Sequence, residues 1–348
     1  MLNSGVKVTN NIQESKLIVE LLRQTTSLQI VKDFLKSKDL SFSSSSWEEI
    51  LDKRILPAIA ENRITNDELI ALLQSVEECG HQHVFLYTCP KEKAIELMDR
   101  SRIVSILKSI KLEDLLTKPR VLDQPANPQI VDVRWQSESV DYNMTIKEVE
   151  LRKFQTFLGT EQHDNKIHKI YGLQEERAVN VAKLHRDGLL EIRIASLANS
   201  TKYEADVRRF RNHLSAILPL NEFKELSLST VKQRLWNERS SLRDLIRYSD
   251  TTIRDEAGNI LKAATGADDA DLNTSTIVGE SLDHLLEKDE SSYCAGANLW
   301  FKRNNQLTSD THALLNGELN EFALPANCTE KDYNYVLTQL RLFNKRVS

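Results

Sequence analysis

The stretch Lys166–Tyr248 constrains this chain most, because it changes periodicity twice within 83 residues. Its first part, KIHKIYGLQEERAVNVAKLHRDGLLEIRIAS, holds short runs rich in Val, Ile and Leu. Asp187-Gly188 separates two of these runs, and an Asp-Gly pair between apolar runs signals a hairpin. YEADVRRFRNHLSAIL and STVKQRLWNERSSLRDLIRYS follow, both with apolar residues at helical spacing. Strands followed by helices in blocks predict an α+β fold.

The flanks extend that reading. Residues 1–118 read as a helical domain. Ile18, Leu21 and Leu22 fall at i, i+3, i+4, and Ile30, Val31, Phe34 and Leu35 repeat the pattern. Ser46-Trp47-Glu48-Glu49 spells a capping box, Pro57 marks a kink or fresh start, and Thr65 or Asn66 caps the next helix. His83–Tyr87 reads as a short strand, and Pro90 opens a further helix. Pro119, Pro125 and Pro128 mark a linker over 119–129. A mixed β-rich body edged by helices is expected over 130–348, divisible at about 225. Within it, Glu161–Asn165 reads as a loop, Gly258-Asn259 as a hairpin turn, and Gly266–Glu290 as a long surface excursion. Asn316-Gly317 reads as a type I′ turn, and Thr329–Asp332 as the start of a final helix.

Composition narrows the class. An apolar fraction of 40% and a charged fraction of 28% are those of a globular chain. Four cysteines are too few for a disulfide framework at 348 residues, so a reducing compartment is expected. MLNSGVKVTNNIQESK does not read as a signal peptide, and no window reaches the roughly 18 apolar residues of a membrane span. The expected location is cytoplasmic, or nuclear in a eukaryote, with no membrane partner. The net charge of −5 conceals an asymmetry. Lys166–Ser249 carries 16 Lys and Arg against 10 Asp and Glu, whereas Asp250–Glu321 carries 5 against 14.

Three constellations are candidates for chemistry. Cys79, His81, His83 and Cys89 are all zinc-ligand types, but their C-x-H-x-H-x5-C spacing matches no common finger. Asp187 with Glu191-Ile192-Arg193, and Glu148-Val149-Glu150, invite comparison with metal-dependent nucleases, with Arg193 where such sites usually carry lysine. The basic stretch is the third. Placed on helices, Arg208 and Arg209 project from the first apolar stripe. Arg239, Arg243 and Arg247, spaced by four, form a row beside the second, joined by Lys232. Guanidinium groups suit phosphate through paired hydrogen bonds. With Lys183, Arg186 and Lys202, these cations make nine expected phosphate contacts. The rival reading is that carboxylates of the same chain neutralise them. No phosphate-binding loop, dinucleotide fingerprint, nucleophile elbow or zincin motif is present, and no cofactor is expected.

The run IVKDFLKSKDLSFSSSSWEEILDKRILPAIAENRITNDELIALLQSVEECGHQHVFLY resembles the helical head of the centromere protein N family. The later order is similar too: strands near Val131 and Phe154, a helix over Glu175–Leu184, a strand over Leu189–Ile194 and a helix over Tyr203–Leu218. The likeness runs from Ile30 to Leu218, and no motif fixes individual contact residues. It implies a death-domain-like helical module, and non-enzymatic binding of DNA backbone together with a protein neighbour. The expected function is therefore a sequence-tolerant DNA-binding subunit of a larger complex, taking DNA over RNA, with a protein partner at the helical domain. A protein–protein adaptor, or a degenerate nuclease in a defence system, are the alternatives.

Overall fold

A computed structural model describes residues 2–138, 141–196, 202–267 and 269–345. The chain opens with five helices: α1 (Leu2–Thr25), α2 (Leu28–Ser37), α3 (Trp47–Ile50), α4 (Leu56–Ala60) and α5 (Asn66–Glu77). Ile18, Leu21, Leu22, Val31, Leu35, Ile50, Ile55 and Leu69 form their common core. The periodic apolar residues therefore do face one another. Pro57 lies just after a π-helical turn, Leu51–Ile55, that joins α3 to α4 without a break, so it sits within one helical run and does not begin a fresh one. Thr65 caps α5: its hydroxyl accepts from the Glu68 amide at 3.2 Å, and the Glu68 carboxylate accepts from the Thr65 amide at 2.9 Å.

The helical run stops well before residue 118. β1 (Gly80–Thr88) is the middle strand of one eleven-stranded sheet. After it come α6 (Lys91–Leu97), α7 (Arg100–Ser109), β2 (Gln129–Glu138), β3 (Asp141–His163), β4 (Lys166–His185), β5 (Leu189–Ala195), α8 (Glu204–Leu214), β6 (Lys224–Glu225) and α9 (Ser229–Asn237). The remainder is β7 (Ile246–Arg254), β8 (Ile260–Ala264), α10 (Thr276–Lys288), β9 (Tyr293–Phe301), β10 (Thr311–Leu314), β11 (Glu321–Asn327) and α11 (Glu330–Asn344). The strand order is β2-β3-β4-β5-β1-β11-β10-β9-β7-β8, with β6 paired to β1. β1 pairs antiparallel with both β5 and β11, so it joins two half-sheets. Its side chains alternate between two cores. Val84 and Leu86 join the core under α9 and α11, while Phe85 and Tyr87 join the core under α6, α7 and α8. This burial on both faces explains the unbroken apolar run His83–Tyr87.

Two turns needed glycine. Gly188 closes the β4–β5 hairpin at φ +99, and a Cβ there would lie 2.0 Å from the Cys89 carbonyl oxygen. Gly258 takes φ +86 between β7 and β8, as the Gly258-Asn259 signal implies. The final helix forms as expected, with Tyr333, Val336, Leu337, Leu340 and Phe343 buried.

Several expectations are overturned. Glu175–Leu184 is strand, not helix, because Val179, Val181, Ala182 and Leu184 are wanted in two cores on opposite faces of the sheet. Glu161–Asn165 is no loop: only Asp164 and Asn165 turn, at φ 46 and 61, the left-handed pair that a two-residue hairpin requires. Gly266–Glu290 holds α10, whose Leu282 is buried in the core. Neither Asn316 nor Gly317 takes positive φ, so no type I′ turn forms there. The β10–β11 connection is longer, and the Glu321 carboxylate crowds Gly317. The basic stretch 229–249 is helical only to Asn237. Tyr248 must reach back so that its hydroxyl donates to the Leu235 carbonyl, which puts Ile246 onward in strand β7.

Candidate functional site

The nine expected phosphate contacts do not form one surface. Lys183 is buried on β4, 3.7 Å from Glu330. Lys232 is buried on α9, donates to the Ala295 carbonyl at 3.0 Å, and is pushed down by burial. Arg209 lies 2.6 Å from Glu150 and 3.3 Å from Glu148. Arg239 pairs with Asp283 at 2.5 Å and stacks on Trp236. Arg247 leaves the row altogether: on β7 it lies over the Trp300 ring at 4.9 Å and donates to the Ala270 carbonyl. Arg186, Lys202, Arg208 and Arg243 are exposed, but on three separate segments: the β4–β5 turn, the start of α8 and the turn after α9. The spacing of four among Arg239, Arg243 and Arg247 would make a row only in a helix, and no helix spans them.

The acidic candidates sit on opposite faces of the sheet. Glu148 is opposite Asn180 on β4, and Glu191 is opposite Lys183, three positions along and hence on the other face. On one face, the Glu148 carboxylate accepts from Asn180 at 2.9 Å, from Arg209 and from the His213 ring, while Glu150 takes Arg152 at 2.7 Å. On the other, Glu191 takes Arg193 at 3.0 Å, His185 at 2.5 Å and the Tyr333 hydroxyl. Asp187 pairs with Arg341 in the turn. Burial raises the Glu191 carboxyl, but Arg193 beside it, then His185 and Lys183, outweigh burial and hold it well below the usual range. Burial likewise opposes Glu148 and Glu77, and each ends low. His213 and Asn180 hold Glu148 down, and Lys147 and Arg177 hold Glu77. These carboxylates are saturated by cations and donors of the same chain.

The cysteine–histidine set is spread along β1. Cys79 and Cys89 stand at its two ends, roughly 30 Å apart at strand rise. His83 stacks on Tyr203 and bonds Glu321. Burial pushes the Cys79 thiol up to about 12. Among the described residues, no group of three or more His, Cys, Asp or Glu could hold a metal ion.

The sheet's most unusual feature lies elsewhere. β3 and β4 pair from Asn143↔His185 to His163↔Lys166, with one bulge between Phe157 and Gly159. Their neighbours do not follow: β2 stops at Val149, and β5 covers β4 only from Val181 to Leu184. Beyond that root the hairpin continues as a two-stranded arm of about 12 pairs, roughly 40 Å long. The arm exposes large apolar side chains: Phe157 53%, Leu158 65%, Ile167 70%, Tyr171 50% and Leu173 66%. Phe157 is directly opposite Tyr171, their rings edge to face at 5.7 Å. Ile167, Tyr171 and Leu173 alternate along β4, so with Phe157 they line one face. The sequence signal was the alternation itself, but alternation looks the same whether the apolar face meets a core or water.

A second exposed feature lies on the far half-sheet. Arg247, Trp300 and His312 are in register across β7, β9 and β10. Trp300 and His312 stack at 4.4 Å with 3° between their planes. All three are half-buried, on the face opposite the core residues Leu299 and Phe301.

No protein-family model matches the chain, and no curated protein matches it. Among the described residues, no helix is long and apolar enough to cross a membrane.

Proposed function

We propose that this chain is a non-enzymatic docking subunit of a protein assembly, and that the β3–β4 arm is its docking element. One observation carries the reading: an arm only two strands wide holds Phe157, Ile167, Tyr171 and Leu173 on one exposed face. Exposed apolar patches of this kind mark interaction sites, and aromatic side chains contribute most to protein interfaces. The saturated carboxylates of the body favour this over nuclease chemistry, and the dispersed cations favour it over a phosphate-binding face. A photo-crosslinking residue at Leu173, introduced in the native host, tests it. A discrete product with a second protein is expected there, with none from the same residue at Lys302 on the body. Equal products at both positions, or none at Leu173, overturn it.

One observation favours a second reading, contact with single-stranded nucleic acid. The Arg247–Trp300–His312 row offers a ring and a guanidinium plane on a sheet face, the chemistry on which unpaired bases stack. Trp300→Ala should then abolish retention of a single-stranded oligonucleotide. Retention equal to wild type removes this reading.

A further inference from the structure

We propose that the free β4 edge of the arm pairs antiparallel with the same edge of a second copy of this chain, with Gly172 on the two-fold axis. The inference rests on reading the arm as a docking element and adds a division of labour. The edge takes the second copy, and the apolar face stays open for another protein.

The first support is the edge itself. Among the described residues, β4 from Lys166 to Arg177 has β3 on one side and no strand on the other, and nearly every residue is exposed. An unpaired edge presents backbone donors and acceptors in strand register, a template for another strand. The β3 edge is less suited, because a bulge between Phe157 and Gly159 breaks its ladder.

The second support is charge order. β4 is basic toward the tip, with Lys166, His168 and Lys169, apolar in the middle, and acidic toward the root, with Glu175 and Glu176. An antiparallel copy centred on Gly172 sets Lys169 opposite Glu175, His168 opposite Glu176, and Tyr171 opposite Leu173. Each pair shares a face, and each occurs twice by symmetry. Other registers fail. A slip of one residue puts Lys169 and its partner on opposite faces. Moving the centre to Tyr171 sets Lys169 against Leu173 and Ile167 against Glu175. Moving it to Leu173 sets Lys169 against Arg177 and Tyr171 against Glu175.

The third support is room for the partner's tip. Centred on Gly172, the pairing brings the tip of each arm beside Ala178 at the other's root. A crevice of about 580 Å³ opens there, lined by Glu176, Arg177, Val179, Ala195 and Ser196. Lys166 at the tip then meets Glu176 at its rim.

Sedimentation of the purified full-length chain tests this. The wild type is expected to dimerise. Lys169→Glu should raise the dimer Kd about tenfold, since two symmetry-related pairs turn repulsive. Adding Glu175→Lys to that variant should restore association, because the pairs are attractive again with signs exchanged. Glu175→Lys alone also removes the 2.6 Å contact with Lys153, so melting temperatures are measured in parallel to separate folding from association. A wild-type monomer up to the solubility limit overturns the proposal, as does a dimer that ignores Lys169→Glu. A monomer that still gives the Leu173 crosslink to another protein sinks the self-pairing and leaves the docking reading standing. A dimer without that crosslink does the reverse.

Discussion

The two ends of one hairpin invert the usual distribution of polarity. At its root, β3 and β4 bury Lys147, Glu148, Glu150, Arg152, Asn180 and Lys183. Farther out, the same strands expose Phe157, Leu158, Ile167, Tyr171 and Leu173. The root is expensive to build, because buried ions lose hydration that only close, well-bonded partners offset. It therefore fixes one register and tolerates little change. The arm contributes no side chain to the main cores, so its apolar residues are not explained by folding.

The sharpest way to break this contrast is at the root. Glu191→Ala leaves Arg193 buried without its carboxylate, and a loss of about 3–5 kcal/mol is expected. Urea unfolding measures it, and a loss under 1 kcal/mol would mean the buried charges are not coupled as drawn.

Acid is the next largest perturbation. Glu77, Glu148 and Glu191 have carboxyls lowered in the fold, so their stabilisation is fully present above the ordinary value of 4.5. It is lost as pH falls below that value, because the unfolded chain then binds more protons than the folded one. Each such carboxylate should cost about 1.4 kcal/mol per pH unit over that window. Urea midpoints at descending pH check it, and a flat profile through the acid range contradicts it.

The root and the arm differ in how readable they are. The hairpin turn at Asp187-Gly188 was legible because backbone chemistry is local. So was the β1 run, because strands buried on both faces are apolar throughout. The arm was not, since Phe157, Tyr171 and Leu173 alternate as a core strand does, and only the ends of β2 and β5 leave them in water. Nor was the fate of the cations. Arg239, Arg243 and Arg247 have helical spacing, but the pull of Tyr248 into the core ends the helix before them. Asp283, the acidic partner of Arg239, lies 44 positions after it, too far for any spacing rule to see. The buried Glu148–Arg209–His213 set is nonlocal in the same way.

The arm should respond oppositely to the root. Tyr171→Asp is expected to change folding stability by no more than about 0.5 kcal/mol, while abolishing the crosslink from the residue placed at Leu173. A large loss of stability would place Tyr171 in a core. The smallest effect is expected at Gly172. Gly172→Ala brings a methyl within 3.0 Å of a Leu158 side-chain end, which can give way. A cost below about 1 kcal/mol is expected by thermal unfolding, and a larger one would show the arm to be rigidly packed.

Excising the arm tests the account most directly. Residues 154–174 are replaced by Asn-Gly, which keeps Lys153 opposite Glu175 and closes the hairpin with a favoured turn. Thermal unfolding and partner capture are then measured on the same protein. The account predicts an unchanged melting temperature with complete loss of capture. A collapsed body, or capture that survives the excision, would contradict it.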